Sequence, residues 1–291
     1  MAFMRMGVVC AAHNEANQWL FSQRGDLGMW NFPSGRLDLH ERLDAAAARE
    51  AFEETGVRVA IRQPLGLYYY ARWQRLNVLF TADVTGGEMR QTTLETRANG
   101  FYPLHEPPLP LLDGPIVQQL QQPTPHTVVI ETPLEEYRRL RRRFAWRWVQ
   151  NLLAGRPEPR YPHFTIHASL LIRHTEHTVM TLAEPNGQRV LPGIVCAGRD
   201  APWEQVRRYV RDTYGLYELR SAELHWLGLY QHVSDARIEL IFLVDLPPSS
   251  PLTHPSIAWT PFYSGAWWPG YRPFVQHAQT HSGSILSIYE T

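Results

Sequence analysis

Short apolar runs divided by polar turns set the pattern of this chain. Met6 to Ala12 and Gln18 to Ser22 are two such runs with HNEAN between them, which predicts two strands joined by a turn. Leu65 to Tyr70 and Leu76 to Val84 flank the polar ARWQR and predict a second pair, ended by Asp83, Gly86, Gly87 and Glu88. Between the pairs the pattern changes. From Arg42 the chain is Ala-rich and free of Gly and Pro until Gly56, so a helix is predicted there, stopping at that glycine. Asp113 to Gln122, after Phe101-Tyr102-Pro103-Leu104, predicts a closing helix.

The long helix carries the candidate chemistry. At 3.6 residues per turn Glu50, Glu53 and Glu54 share one face, while Ala45, Ala48 and Phe52 fall on the opposite, apolar face, which is expected to be the one that packs. Like charges at this spacing repel and cost helix stability. A hard divalent cation removes that cost, and magnesium in particular prefers carboxylates, retained waters and phosphate oxygens.

The spacing around these carboxylates is specific. Gly35, five residues, Glu41, seven residues, then Arg49-Glu50-Ala51-Phe52-Glu53-Glu54-Thr55-Gly56-Val57 fills every fixed position of the Nudix box, and the segment resembles that family of metal-dependent hydrolases. Two neighbours depart from the family's usual residues: Ser34 and His40 stand where glycines are common. The resemblance implies a mixed sheet between helices, Mg2+ (with Mn2+ as a substitute) held by Glu50, Glu53, Glu54 and Gly35, and Glu53 or Glu54 doubling as base. It also implies that Arg49 orients a glutamate, that Glu41 supports the loop, and that a carboxylate on a late loop assists. Glu95 is the candidate for that last role, with Glu88 behind it, and a merely solvated glutamate is the equal alternative.

The second half repeats the first. LPGIVCAGRDAPWEQVRRYVRDTYGL lies on FPSGRLDLHERLDAAAAREAFEETGV without a gap, and LGLYQHVSDARIELIFLVDL matches LGLYYYARWQRLNVLFTADV. In the later copy Ile194 stands for Gly35, Asp200 for Glu41, Tyr209 for Glu50, Asp212 for Glu53 and Thr213 for Glu54, while Arg208 and Gly215 persist. One carboxylate on that helix is not expected to hold a phosphate-bridging ion.

Thr132-Pro133 predicts the start of another helix, LEEYRRLRRRFAWRWVQNLLAG, stopping near Gly155. Leu134, Tyr137, Leu140, Phe144 and Trp148 make an apolar stripe, and arginines cover much of the rest. A packed stripe with solvated arginines is preferred to a nucleic-acid surface, because the 291-residue chain has 28 Lys+Arg against 28 Asp+Glu and no net field. Every one of those bases is Arg, so lysine chemistry is excluded and any grip on phosphate falls to Arg, backbone or metal.

Cys10 and Cys196 are read as core residues, with no CxxC pattern. His174 and His177 are expected in a hairpin turn without a transition-metal site, and the run Ala266 to Tyr271 in packing. The early polar break in the N-terminal segment and the lack of long apolar runs lead to the expectation of a cytoplasmic protein without a membrane span.

The expected organisation is two Nudix-like α/β/α sandwich domains with mixed sheets, joined by a basic helix: 1–122 catalytic, 123–159 linker, 160–291 degenerate. The expected substrate is a small nucleoside diphosphate derivative, with an intramolecular domain–domain interface. The alternatives are a nucleotide-sensing regulator without turnover, which would not require the intact carboxylates, and an RNA-directed pyrophosphohydrolase using the Arg helix.

Overall fold

In the computed structural model the described residues are all but 1–3, 123–125, 156–160, 176–177, 184–186, 198–199, 248–257, 262–266, 281–283 and 291. Parts of the expected linker, His177 and Ala266 therefore lie outside the described residues. Two compact units divide the chain, one spanning Arg5–His163 and the other containing Met4 and the chain from Phe164 onward.

In the first unit the strands are β1 (Arg5–His13), β2 (Gln18–Arg24), β3 (Trp30–Asn31), β4 (Ser34–Arg36), β5 (Val57–Tyr70), β6 (Arg75–Gly87), β7 (Thr96–Pro103) and β8 (His126–Ile130). They form one mixed sheet in the order β3-β2-β1-β6-β5-β8, with β4 added to β1 and β7 to β2. β1 runs parallel to β6 from Arg5↔Arg75 to His13↔Asp83. Its interior, Met6 to Ala12, is continuously buried. A strand covered on both faces needs an apolar run rather than alternation, which is why this stretch reads so clearly. β5 starts eight residues before its apolar run, because its first half is largely exposed and carries no such signal.

Helices cover the two faces. Glu50 of α1 (Leu43–Thr55) reaches Gly35, which pairs with Val8, so α1 lies on the Val8 face. α2 (Gly114–Gln121) sets Ile116, Val117 and Leu120 against Val9, Phe32 and Tyr68 on the other.

α1 overturns the expectation about its own faces. Leu43, Ala46, Ala47, Glu50, Ala51 and Glu54 are buried, whereas Ala45 is exposed and Phe52 is 37% exposed. The small alanines let the helix lie close to the sheet, and the carboxylates enter on that same side. Phe52 instead lies beneath the guanidinium groups of Arg58 and Arg90, 5.9 and 5.3 Å from its centroid.

α3 (Leu134–Leu153) also belongs to the first unit. Its N-cap is Pro133, one residue later than predicted. Tyr137 and Phe144 pack edge-on against Trp73, at 4.6 and 5.7 Å. The expected stripe is shorter than the sequence suggests, for Leu134 and Trp148 are 44% and 50% exposed.

The second unit contains β9 (Thr165–Thr175), β10 (Thr178–Ala183), β11 (Arg189–Val190), β12 (Gly193–Val195), β13 (His225–His232), β14 (Arg237–Asp245), β15 (Ala258–Pro261) and β16 (Leu286–Glu290). Its helices are α4 (Pro202–Tyr214) and α5 (Arg272–Thr280). The sheet order is β11-β10-β9-β14-β13-β16, with β12 on β9 and β15 on β10, strand for strand that of the first unit. Registers agree as well. Thr165↔Arg237 opens the β9/β14 ladder as Arg5↔Arg75 opens β1/β6, and Ala168↔Ile194 falls where Val8↔Gly35 does. Trp267 and Tyr271 are buried in the core, and both cysteines are buried and free. Among the described residues no helix is long and apolar enough to cross a membrane.

Candidate functional site

Gly56 fixes the end of α1. It adopts a left-handed φ of +77°, its N–H donates to Phe52 O at 2.8 Å, and a Cβ there would meet Glu88 O at 2.3 Å. Only glycine meets both demands. The last turn is also tied to β7, for Asn99 Nδ2 and Thr96 Oγ1 donate to Glu54 O at 2.9 and 3.2 Å.

At the other end of the motif, Arg49 lies among three carboxylates. Its Nε and Nη2 donate to both oxygens of Glu41 at 2.7 and 3.0 Å, and its Nη1 donates to Glu50 at 2.8 Å and Glu53 at 3.1 Å. A further bond from Nη2 to Arg36 O, 3.1 Å, holds β4 to the helix. Glu41 closes the turn by accepting from the Asp38 N–H at 3.2 Å. These partners, the Glu41 hydrogen bonds foremost, hold the Arg49 pKa well above its ordinary value.

Glu50 sits where the side chain of any other residue at position 35 would go: a Cβ on Gly35 would be 2.0 Å from Glu50 Cδ. The Gly35 carbonyl accepts from Arg75 Nη2 at 2.8 Å. Glu54 is 4% exposed and its Oε2 has no hydrogen-bond partner. Burial pushes its pKa up to about 8. Arg24 and the Ser34 backbone oppose the rise, and the charges of Glu50 and Glu95 add to it. Burial likewise raises Glu50, against the pull of Arg49. Glu53 differs from both, with a side chain 58% exposed.

Glu95 is exposed, its charge reaches both buried glutamates, and its carbonyl accepts from Gly25 N at 2.7 Å. Glu88 is drawn elsewhere, lining a surface cleft with Phe52, Arg58 and Arg90. Ser34 and His40 leave the loop intact by different means. Ser34 lies in β4, where its Oγ accepts from Asn31 Nδ2 at 3.1 Å, whereas His40 takes a positive φ of 61° that suits glycine better.

Sequence reasoning missed Arg24 and Asp113. Arg24 binds Asp26 through two bonds of 3.0 and 2.8 Å, and Arg147 of α3 donates to the same Asp26 at 2.5 Å. Asp113 accepts from Phe32 N at 3.0 Å, and burial raises its pKa to about 6. Arg24 is one of the cations that act on both Glu54 and Asp113. No local signal marks either residue, since their proximity comes from strands distant in sequence.

The residues fit a divalent ion in one respect that burial makes plain: Glu54 keeps a shielded carboxylate oxygen without a donor. Among the described residues no three acidic, His or Cys side chains converge as a ready-made cage, the Arg49 guanidinium instead lying beside Glu41, Glu50 and Glu53.

The corresponding positions of the second unit are differently employed. Asp212 is an exposed partner of Arg211, at 2.7 and 3.1 Å, and Arg208 pairs with Asp200 at 2.5 Å.

A mixed sheet between two helices, with this motif at the sheet-to-helix corner, is the architecture the motif implied. Residues 4–120 match the family model described as NUDIX domain. Over 83 residues the chain is 37% identical to a Bacillus subtilis (strain 168) protein named "Putative 8-oxo-dGTP diphosphatase", covering 28% of this chain and 56% of that protein. A "MutT-like protein" of Streptomyces ambofaciens is 32% identical over 89 residues, covering 31% and 58%. The chain thus spans little more than half the length of these relatives. A solved NUDIX hydrolase from Nitrosomonas europaea aligns at 23% identity over 44% of this chain and 80% of its own, with a TM-score of 0.40.

Proposed function

We propose that the first unit hydrolyses the diphosphate linkage of a small nucleoside diphosphate derivative with the help of Mg2+, for which Mn2+ can substitute. The observation that carries this reading is the buried, unpartnered Glu54 Oε2 beside Glu50, on the helix that completes the Nudix pattern. A shielded carboxylate without a donor is costly, and a hard cation removes the cost. The relatives, one of them named "Putative 8-oxo-dGTP diphosphatase", support the substrate class.

Glu50, Glu53 and Glu54, with the Gly35 carbonyl, would hold the ion. When bound, it supplies positive charge to the diphosphate oxygens and lowers the pKa of water. The chain's own part is orientation and proton transfer. Glu41 grips Arg49, and Arg49 in turn holds Glu50 and Glu53. Glu53, open to solvent, and Glu54, facing the interior, are the two carboxylates able to take the proton of an attacking water. Glu95 assists from its exposed loop.

The second unit is non-catalytic in this proposal, because Tyr209 and Thr213 replace two carboxylates and Asp212 is engaged by Arg211. A pure sensor would not require the complete carboxylate set of the first unit. The proposed location is the cytoplasm.

The test is a panel of nucleoside diphosphate derivatives assayed with Mg2+, comparing wild type and Glu54→Gln. The variant should fold normally and lose kcat by about two orders of magnitude. Wild-type rates in that variant would show the assignment to be wrong.

A further inference from the structure

α3 has six Arg and two Glu in a chain with no net charge, so its four excess positive charges are balanced elsewhere. Among the described residues, none of Arg138, Arg139, Arg141, Arg142 and Arg143 forms an ion pair; the one arginine of the helix that does is Arg147. Arg138 with Arg142 and Arg139 with Arg143 are like charges at i,i+4, an arrangement that costs helix stability when nothing answers it. Those four arginines and Glu135 line a surface cleft of about 390 Å³. One turn further on along the same face, Trp146 is 64% exposed.

The geometry points to the outward face of α3 as a docking surface for single-stranded nucleic acid, with arginines taking the phosphates and the Trp146 indole stacking on a base. Planar guanidinium forks match phosphate oxygens two bonds at a time, and exposed aromatic rings add a base-tolerant platform. A lipid surface is a poorer occupant. A helix lying on a membrane needs an apolar stripe along its length, but Tyr137 and Phe144 of this stripe are turned onto Trp73, and the outward face is charged in its first half and apolar only in its second. An acidic protein would satisfy the arginines and leave the exposed Trp146 indole without a purpose. Further along the helix Arg147 donates to Asp26, which also binds Arg24.

The test uses the full chain and fluorescein-labelled 20-nucleotide oligo(U) and oligo(dT), read by anisotropy over a salt series. Binding should appear at low salt, with a slope of log K against log[salt] of about −3, as four phosphate contacts on a single strand predict. Arg138→Gln/Arg139→Gln/Arg142→Gln/Arg143→Gln should lose at least tenfold in affinity and flatten the slope. Trp146→Ala should lose about tenfold with the slope kept. Circular dichroism checks that both variants fold, and neither substitution should alter turnover of the best small nucleotide. The proposal is overturned if wild type binds no oligonucleotide, if the arginine variant binds equally well, or if anionic vesicles bind and oligonucleotides do not. Oligonucleotide binding by Glu54→Gln should match wild type, so this result stands or falls separately from the hydrolase assignment.

Discussion

Glu54 shows how much one side chain's surroundings decide. Its folded-state pKa of about 8 lies above the ordinary carboxylate value because burial disfavours the charged form. In the metal-free protein, the stability that accompanies its protonation is fully present below the unfolded-state pKa of about 4.5 and is lost as pH rises toward 8. Glu54→Gln should therefore be more stable than wild type at pH 8 in EDTA and no more stable at pH 4. Denaturant titrations at the two pH values check this, and equal curves at pH 8 would refute it. Gly35 is decided by contact rather than charge. Gly35→Ala places a methyl group 2.0 Å from Glu50 Cδ, so Glu50 must move. We expect a stability loss of about 1–3 kcal/mol from overpacking, and a fall in hydrolysis of at least tenfold. Initial rates and melting curves equal to wild type would refute that account.

At the scale of elements, the loop from β4 into α1 combines a hydrogen-bonded frame with one strained residue. Arg49, Glu41 and the Asp38 amide build the frame, and His40 occupies a left-handed conformation in its middle. A left-handed non-glycine residue costs about 1–2 kcal/mol, partly offset by the entropy glycine would add to the unfolded chain. The exposed His40→Gly change should thus raise stability by roughly 0.5–1 kcal/mol, read as an upward shift of Tm, with kcat unchanged. A fall in Tm would mean that the imidazole makes a contribution its exposure does not suggest. α1 makes a related point about faces. Its 3.6-residue period places the glutamates together, yet helical periodicity alone reverses which side is buried, because carboxylates gathered at a site go inward where apolar logic sends Phe52.

At the scale of the whole molecule, two sheets share one strand order and differ in the residues on their matching helices. Asp83 and Asp245 close the matching parallel ladders, opposite His13 and Arg173. On the helices, Glu53 is part of the Arg49 frame and Asp212 is a solvent-exposed partner of Arg211. Asp212→Asn in the full chain should leave diphosphate hydrolysis within twofold of wild type and stability within about 0.5 kcal/mol, since an exposed ion pair contributes little. A tenfold loss of rate would assign the second unit a part in the reaction.

From sequence alone came the strand pairs, the three helices of the first unit, the box residues and the internal repeat. These are local patterns, in which apolar runs, an uninterrupted helix former and fixed spacings act over a few turns. The exposed first half of β5 and the shortened stripe of α3 were not legible, because burial there depends on what the rest of the fold covers. Tertiary structure alone decided that Glu54 is shut away while Glu53 is open, that Gly35 makes room for Glu50, and that Arg24, Asp26 and Arg147 form one chain of contacts. Each of these depends on elements far apart in sequence, and the distances, the dielectric and the donors involved exist only after the strands have paired.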